Sequence, residues 1–226
     1  MTLTLGIDDS GRGPIIGSMV LAGVLVTEEQ EQKLKKEGVK DSKQVLHPKR
    51  IALAKIIQKN SIDYKVILIP PSEIDKAVDG GYNLNTLEAE KMAEIINLIN
   101  VDSPREQKIK VIVDCPSPNI SAWSSVLKKY IEHKDNLEIH CEHKADVNHP
   151  SVSAASIIAK VARETEVAEI KKKFGEIGSG YAADPITIEF LEKNGHNPNN
   201  QALFRKSWAT WKDYKAKKQQ KKLGDF

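Results

Sequence analysis

The chain has few of the features that fix a protein's class at sight. Two cysteines in 226 residues cannot staple a fold, and Cys115 and Cys141 match no metal-ligand spacing. They read as reduced core thiols. No apolar run approaches the ~20 residues that cross a bilayer, so no membrane partner is expected. The N-terminus has no signal-peptide pattern, and a cytoplasmic location is expected. No internal repeat is visible. No G-x-x-x-x-G-K-[ST] phosphate loop occurs, and "GRGPIIG" is one residue longer than the dinucleotide fingerprint. The adjoining segment, "SMVLAGVLV", has strand rather than helix composition.

Present instead is an ordinary globular composition, 40% hydrophobic and 29% charged, on a chain long enough to bury a full core. The formal charge of +3 is unevenly spread. Arg205 to Phe226 carries eight Lys/Arg against two Asp/Glu, leaving a slightly acidic body with a basic tail. Such a tail suits a polyanion, or is simply a solvated helix.

Hydrophobic patterning predicts strands over Leu3–Asp8, Gly17–Val26, Tyr64–Ile69, Ile109–Asp114 and Leu137–Cys141. Helices are predicted from Pro48 to about Asn60, over Leu84–Ile99 and Ile120–Glu132, and along the stripe Val152, Ala155, Ala159, Ala162. Clustered strands succeeded by alternation point to an α/β fold with a mixed sheet. In such sheets reacting groups gather at the carboxyl ends of strands.

Four carboxylates fall at such places. Asp8 and Asp9 come after the first strand, Asp114 ends "KVIVD", and Asp146 precedes the Ala-rich helix. If the first and fourth strands are neighbours, Asp8 and Asp114 meet at one sheet end. Clustered carboxylates repel and raise one another's pKa values, and divalent cations relieve this. An all-oxygen donor set suits Mg²⁺ or Mn²⁺, and two such ions clamp an in-line phosphoryl displacement. A single Asp after a strand is more often a turn residue or a cap; Asp41, Asp63, Asp75 and Asp184 are read that way. The glycines of Gly11-Arg12-Gly13 let the backbone approach a ligand closely and adopt positive φ, and could read a ribose 2′-hydroxyl. Arg12 could contact a phosphate.

These segments resemble type 2 ribonuclease H of the archaeal and eukaryotic catalytic-subunit type. "GIDDSGRGPIIGSMV", "GVKDSKQVLHPKR", "YNLNTLEAE", "VIVDCPSPN", "KADVNHPSVSAASIIAKVARE", "GSGYAADPITIEFL" and "RKSWAT" match the family's motifs in order, from about residue 5 to 211. The resemblance implies a ribonuclease H-like fold, a mixed five-stranded sheet flanked by helices. It implies a catalytic domain over 1–170 and a helical C-terminal region over 171–226. The implied activity is hydrolysis of the RNA strand of RNA/DNA hybrids and cleavage 5′ of ribonucleotides embedded in DNA. The products would carry 3′-hydroxyl and 5′-phosphate ends.

On this resemblance Asp8, Asp9, Asp114 and Asp146 are the catalytic, metal-binding carboxylates, holding two Mg²⁺ or Mn²⁺ ions. Gly11, Arg12 and Gly13 form the turn that reads the 2′-hydroxyl. Tyr181 stacks on the adjoining deoxyribose, Ser42 and Lys43 contact a phosphate, and Lys144 supports the metals. The chain departs from the family with Asp9 for Glu, Ser10 for Ala, His149 for Tyr and Ala182-Ala183 for Pro-Ser. His149 reads as a surface or helix-start residue, His196 as a turn residue, and Trp123, Trp208 and Trp211 as packing residues.

Gln220, Leu223 and Phe226 have the spacing of the short peptide by which replication proteins bind the sliding clamp. The protein is expected to be a monomer. Two other readings are a hybrid-binding module weakened by Asp9, and an aspartyl phosphotransferase with Asp8 or Asp9 as nucleophile. The second leaves the glycine turn, Tyr181 and the basic tail without a common purpose.

Overall fold

A strand covered on both faces is apolar along its whole length rather than at alternate positions. Met19–Thr27 has that composition, and all of it but Thr27 is buried. A computed structural model of the chain describes residues 2–39, 45–104 and 106–223, with the backbone alone for 221–223. In it this segment is β2, next to β1 (Leu3–Ser10) in a five-stranded sheet. The other strands are β3 (Asp63–Ile69), β4 (Ile109–Asp114) and β5 (Leu137–Glu142), in the order β3-β2-β1-β4-β5. β1 runs antiparallel to β2 and parallel to β4, and β4 is parallel to β5. The mixed α/β sheet expected from the patterning is therefore present, with β1 and β4 as neighbours.

Two boundaries differ from the patterning in ways that bear on the site. β1 does not stop at Asp8: its ladder with β2 continues to Ser10↔Val20. β2 begins at Met19 rather than Gly17, because Gly17 has a left-handed φ of 81° and donates its amide to the Leu203 carbonyl.

The helices are α1 (Glu28–Lys36), α2 (His47–Asn60), α3 (Pro71–Asp79), α4 (Leu84–Val101), α5 (Ile120–Lys129), α6 (Ala145–Asn148), α7 (Pro150–Phe174), α8 (Pro185–Asn194) and α9 (Ala209–Leu223). Patterning does not anticipate α1 and α3. Both carry a start signal: Thr27 and Gln30 form a reciprocal capping box, and Pro71 occupies the first turn of α3.

The chain forms two compact units. One holds residues 1–10, 20–68 and 85–163; the other holds 11–19, 69–84 and 164–226. In the first, β2 packs Val20, Ala22, Val24 and Val26 with Leu34 of α1, Leu53 and Ile57 of α2, and Ala154, Ala155 and Ile158 of α7. The small residues of α7 permit its close approach. At Gly6 a Cβ would lie 2.2 Å from the Ser151 carbonyl carbon, so only glycine fits beneath that helix. β3 closes one side of the sheet, with Tyr64 and Leu68 exposed and Lys65 paired to Asp63 at 3.0 Å and Asp102 at 3.6 Å.

The second unit is built on rings. Phe190 and Phe204 lie 6.1 Å apart, Phe204 and Trp211 5.3 Å, and Trp211 and Tyr214 5.6 Å, with Ile15, Ile16 and Ile177 completing the core. No helix among the described residues is long and apolar enough to cross a membrane.

Candidate active site

The carboxylates of the first unit are placed by strand register. Ile7 pairs with Val113, so Asp8 and Asp114 stand one residue further on, at the carboxyl ends of adjacent parallel strands. Asp114 in turn pairs with Glu142 on β5. Side chains alternate along a strand, so Asp8 shares the face of Gly6, where α7 crosses, while Asp9 points to the other. Asp146 lies in the single turn of α6 and is buried, as is Asp8. Asp9 and Asp114 are partly exposed.

α6 is set by an unusual backbone. Lys144 is the only non-glycine residue with positive φ among those described, at φ 59°, ψ 35°. This left-handed turn carries the chain from β5 into α6 and lets the Ala145 amide donate to Asp114 Oδ1 at 2.7 Å. Sparsely populated backbone of this kind clusters at functional sites. Lys144 itself is exposed.

Burial is the main cause that holds the Asp8 carboxyl well above the usual carboxylate range. The negative charges of Asp9 and Asp114 push it the same way. Hydrogen bonds from the Ser156 side chain on α7 and the Asp9 amide, at 2.8 Å, oppose them. Among the described residues no group of three or more His, Cys, Asp or Glu side chains is arranged to hold a metal ion. The donor chemistry still fits a hard divalent cation: the groups are all carboxylates, and Asp8 feels two negative neighbours that a cation would offset.

Patterning misses two groups here. Glu142 adds a fifth carboxylate at the same sheet end, and it accepts His149 Nε2 at 2.8 Å. His149 caps α6 and precedes α7, in line with the helix-start reading. Ser156 has only its place in an Ala-rich stripe to mark it.

The glycine turn belongs to the second unit. Gly11 has a φ of 78°, whereas Gly13 does not need positive φ. Gly13 contributes proximity instead: a Cβ there would lie 3.5 Å from the Tyr181 ring. Tyr181 is 46% exposed, on a loop tied to the segment after the turn by hydrogen bonds from the Ile15 and Ile16 amides to the Gly180 carbonyl. Thr187 and Asp184 hold that loop through the Gly180 and Ser179 amides.

Asp184 caps α8, as expected of that class, and His196 lies in a turn. Asp75 differs from its reading as a cap or turn residue. It sits within α3 and accepts the amides of Lys206 and Ser207 and the Ser207 hydroxyl. Trp123 and Trp211 are buried packing residues, while Trp208 also donates its indole N–H to the Gly13 carbonyl at 3.2 Å. Asp41, Ser42, Lys43 and Phe226 lie outside the described residues, as does the side chain of Leu223.

Residues 5–211 match the family model for Ribonuclease HII. The chain is 42% identical to the ribonuclease HII of Methanococcus maripaludis strain C6 over 212 residues, which cover 93% of this chain and 86% of that one. Its fold superposes on the ribonuclease H2 of Pyrococcus horikoshii with a TM-score of 0.82 at 34% identity, covering 96% and 98% of the two chains. It superposes on the ribonuclease HII of Archaeoglobus fulgidus, solved in complex with PCNA, with a TM-score of 0.78 at 37% identity, covering 91% and 95%. The chain belongs to the ribonuclease HII family, endonucleases that degrade the RNA of RNA/DNA hybrids.

Proposed function

We propose that this ribonuclease cuts the RNA strand of RNA/DNA hybrids, and cuts 5′ of single ribonucleotides in duplex DNA, by a two-metal mechanism leaving 3′-hydroxyl and 5′-phosphate ends. The observation that carries the reading is the register that sets Asp8 and Asp114 side by side at the carboxyl ends of β1 and β4. The family match favours it over a weakened hybrid-binding module.

The family is metal-dependent. Asp8, Asp9, Asp114 and Asp146 would hold two Mg²⁺ or Mn²⁺ ions, which supply Lewis acidity and an activated water for phosphoryl displacement. Asp8, buried and crowded by Asp9 and Asp114, favours whatever positive charge is brought to it. Ser156 and the Asp9 amide orient its carboxylate. The Ala145 amide orients Asp114, and the left-handed Lys144 fixes where α6 begins, and with it Asp146. Gly11, Arg12 and Gly13 meet the ribose 2′-hydroxyl, and Tyr181 stacks on the next sugar. Ser42, Lys43 and Lys144 contact or support the phosphate path, and the basic face of α9 adds sequence-independent attraction.

The test is cleavage of an RNA/DNA hybrid and of a DNA duplex with one ribonucleotide, with Mg²⁺ and Mn²⁺ in parallel, by the native chain and by Asp9→Glu. Cleavage of both by the native chain is expected. Binding without cleavage in either metal would return the reading to a recognition module.

A second reading concerns the tail. The A. fulgidus relative was solved with PCNA, and Gln220, Leu223 and Phe226 here have clamp-peptide spacing. The tail is proposed to dock on a clamp of that type. Deleting residues 220–226 should abolish clamp binding and leave cleavage of free duplex intact; unchanged clamp affinity would remove the proposal.

A further inference from the structure

Arg205 is fully buried, which for a guanidinium demands a complete set of acceptors. Three of them are backbone carbonyls. Nη2 donates to the Gly11 carbonyl at 2.6 Å, Nη1 to the Arg12 carbonyl at 2.7 Å, and Nε to the Gly17 carbonyl at 3.0 Å. Trp208, whose ring lies 5.1 Å from the guanidinium, donates to the Gly13 carbonyl. All three carbonyls of the glycine turn thus accept from one short C-terminal segment.

That segment is fixed in its own right. The Arg205 amide donates to the Ile15 carbonyl at 2.9 Å, Phe204 bridges Ile16, and Asp75 holds the amides of Lys206 and Ser207 at 2.9 and 2.8 Å. On the far side Glu166 accepts both the amide and the hydroxyl of Ser18.

In a trans peptide the carbonyl of one residue and the N–H of the next point to opposite edges. No peptide of the described chain is cis. The Gly17–Ser18 peptide displays the rule: its carbonyl faces Arg205 and its N–H faces Glu166. The same rule applied to the turn sends the N–H groups of Arg12 and Gly13 away from Arg205. Pro14, which has no N–H, comes directly after the carbonyl that Trp208 takes.

We propose that Arg205 is a positioning residue for sugar selection. By drawing the Gly11 and Arg12 carbonyls onto its guanidinium, it presents the N–H groups of Arg12 and Gly13 as donors to a ribose 2′-oxygen, and so sets the preference for ribonucleotide over deoxyribonucleotide. The inference rests on the proposed role of the turn in meeting the 2′-hydroxyl. A lysine cannot replace Arg205: an ammonium keeps the charge but not the planar fork that spans three carbonyls.

The experiment is binding, in chelator so that no cleavage occurs, of a DNA duplex with one ribonucleotide and of the same duplex all deoxy, by the native chain, Arg205→Lys and Trp208→Phe. The native chain should prefer the ribonucleotide duplex. Arg205→Lys should lower that ratio about tenfold, and Trp208→Phe about threefold, with hybrid cleavage losing more in KM than in kcat. A general loss of fold lowers both affinities together and leaves the ratio, so an unchanged ratio in folded Arg205→Lys overturns the proposal. If Arg205→Lys does not fold, an unchanged ratio in folded Arg205→Gln does the same. A native chain with no preference overturns the reading of the turn itself, and cleavage of long hybrids would then still stand.

Discussion

At the sheet end, Asp8 is buried beside two further negative charges. Along residues 11–18, by contrast, polar groups meet their opposites: the carbonyls of 11, 12, 13 and 17 accept from Arg205 and Trp208, and Ser18 donates to Glu166. One region crowds like charges together; the other matches donors to acceptors. The first is suited to capture positive charge, and its folded state is less stable for it. The second is suited to hold a shape, because removing Arg205 leaves the buried Gly11 and Gly17 carbonyl bonds unmade.

The contrast breaks most plainly at Asp114. Asp114→Asn should lower cleavage about a thousand-fold or more, beyond the ~10–100-fold expected when only an outer-shell partner of a metal is lost. Arg205→Met should show the opposite balance: destabilisation of about 3 kcal/mol, on the order of 1 for each carbonyl left without its donor, measured by urea unfolding. Gly6→Ala, which drives a methyl into the Ser151 backbone, should cost about 1–3 kcal/mol and weaken cleavage as α7 shifts over Asp8.

Asp8→Asn sharpens the contrast. It should abolish cleavage yet raise the thermal midpoint in chelator, because it removes a charge that burial and Asp9 disfavour; a lower midpoint would contradict the asymmetry.

The smallest effect concerns Asp184. Hydrogen bonds from the Ser179 amide and side chain hold its carboxyl below the usual range, and the Ile186 amide adds to them. Its contribution is therefore present above the unfolded value of ~4 and is lost as pH falls through the lower folded value. Asp184→Asn should flatten the change in stability between neutral and acid pH, read from unfolding midpoints.

The strands are legible in the sequence because β-branched runs bounded by turn residues have few other uses, and β1 and β4 can be paired once their carboxylates are seen at equivalent ends. The end of β1 is not legible: Asp9 and Ser10 are poor strand formers, kept in the ladder by pairing with Leu21 and Val20. Helix α1 could be read from Thr27 and Gln30. Ser156 and Glu142 could not, since a serine in an alanine stripe and a glutamate ending a strand are commonplace until register gives them neighbours. Arg205 lies 194 positions from Gly11 along the chain, and a lone arginine near a basic tail reads as solvated. Its burial is a tertiary fact.

The sheet ends at β3, and an end strand is a template for a second chain. Tyr64 and Leu68 would reward such pairing, but the same strand carries Lys65, held protonated chiefly by its bond to Asp63. The addition of strand to strand is thereby discouraged at the side of the sheet remote in strand order from β4 and β5.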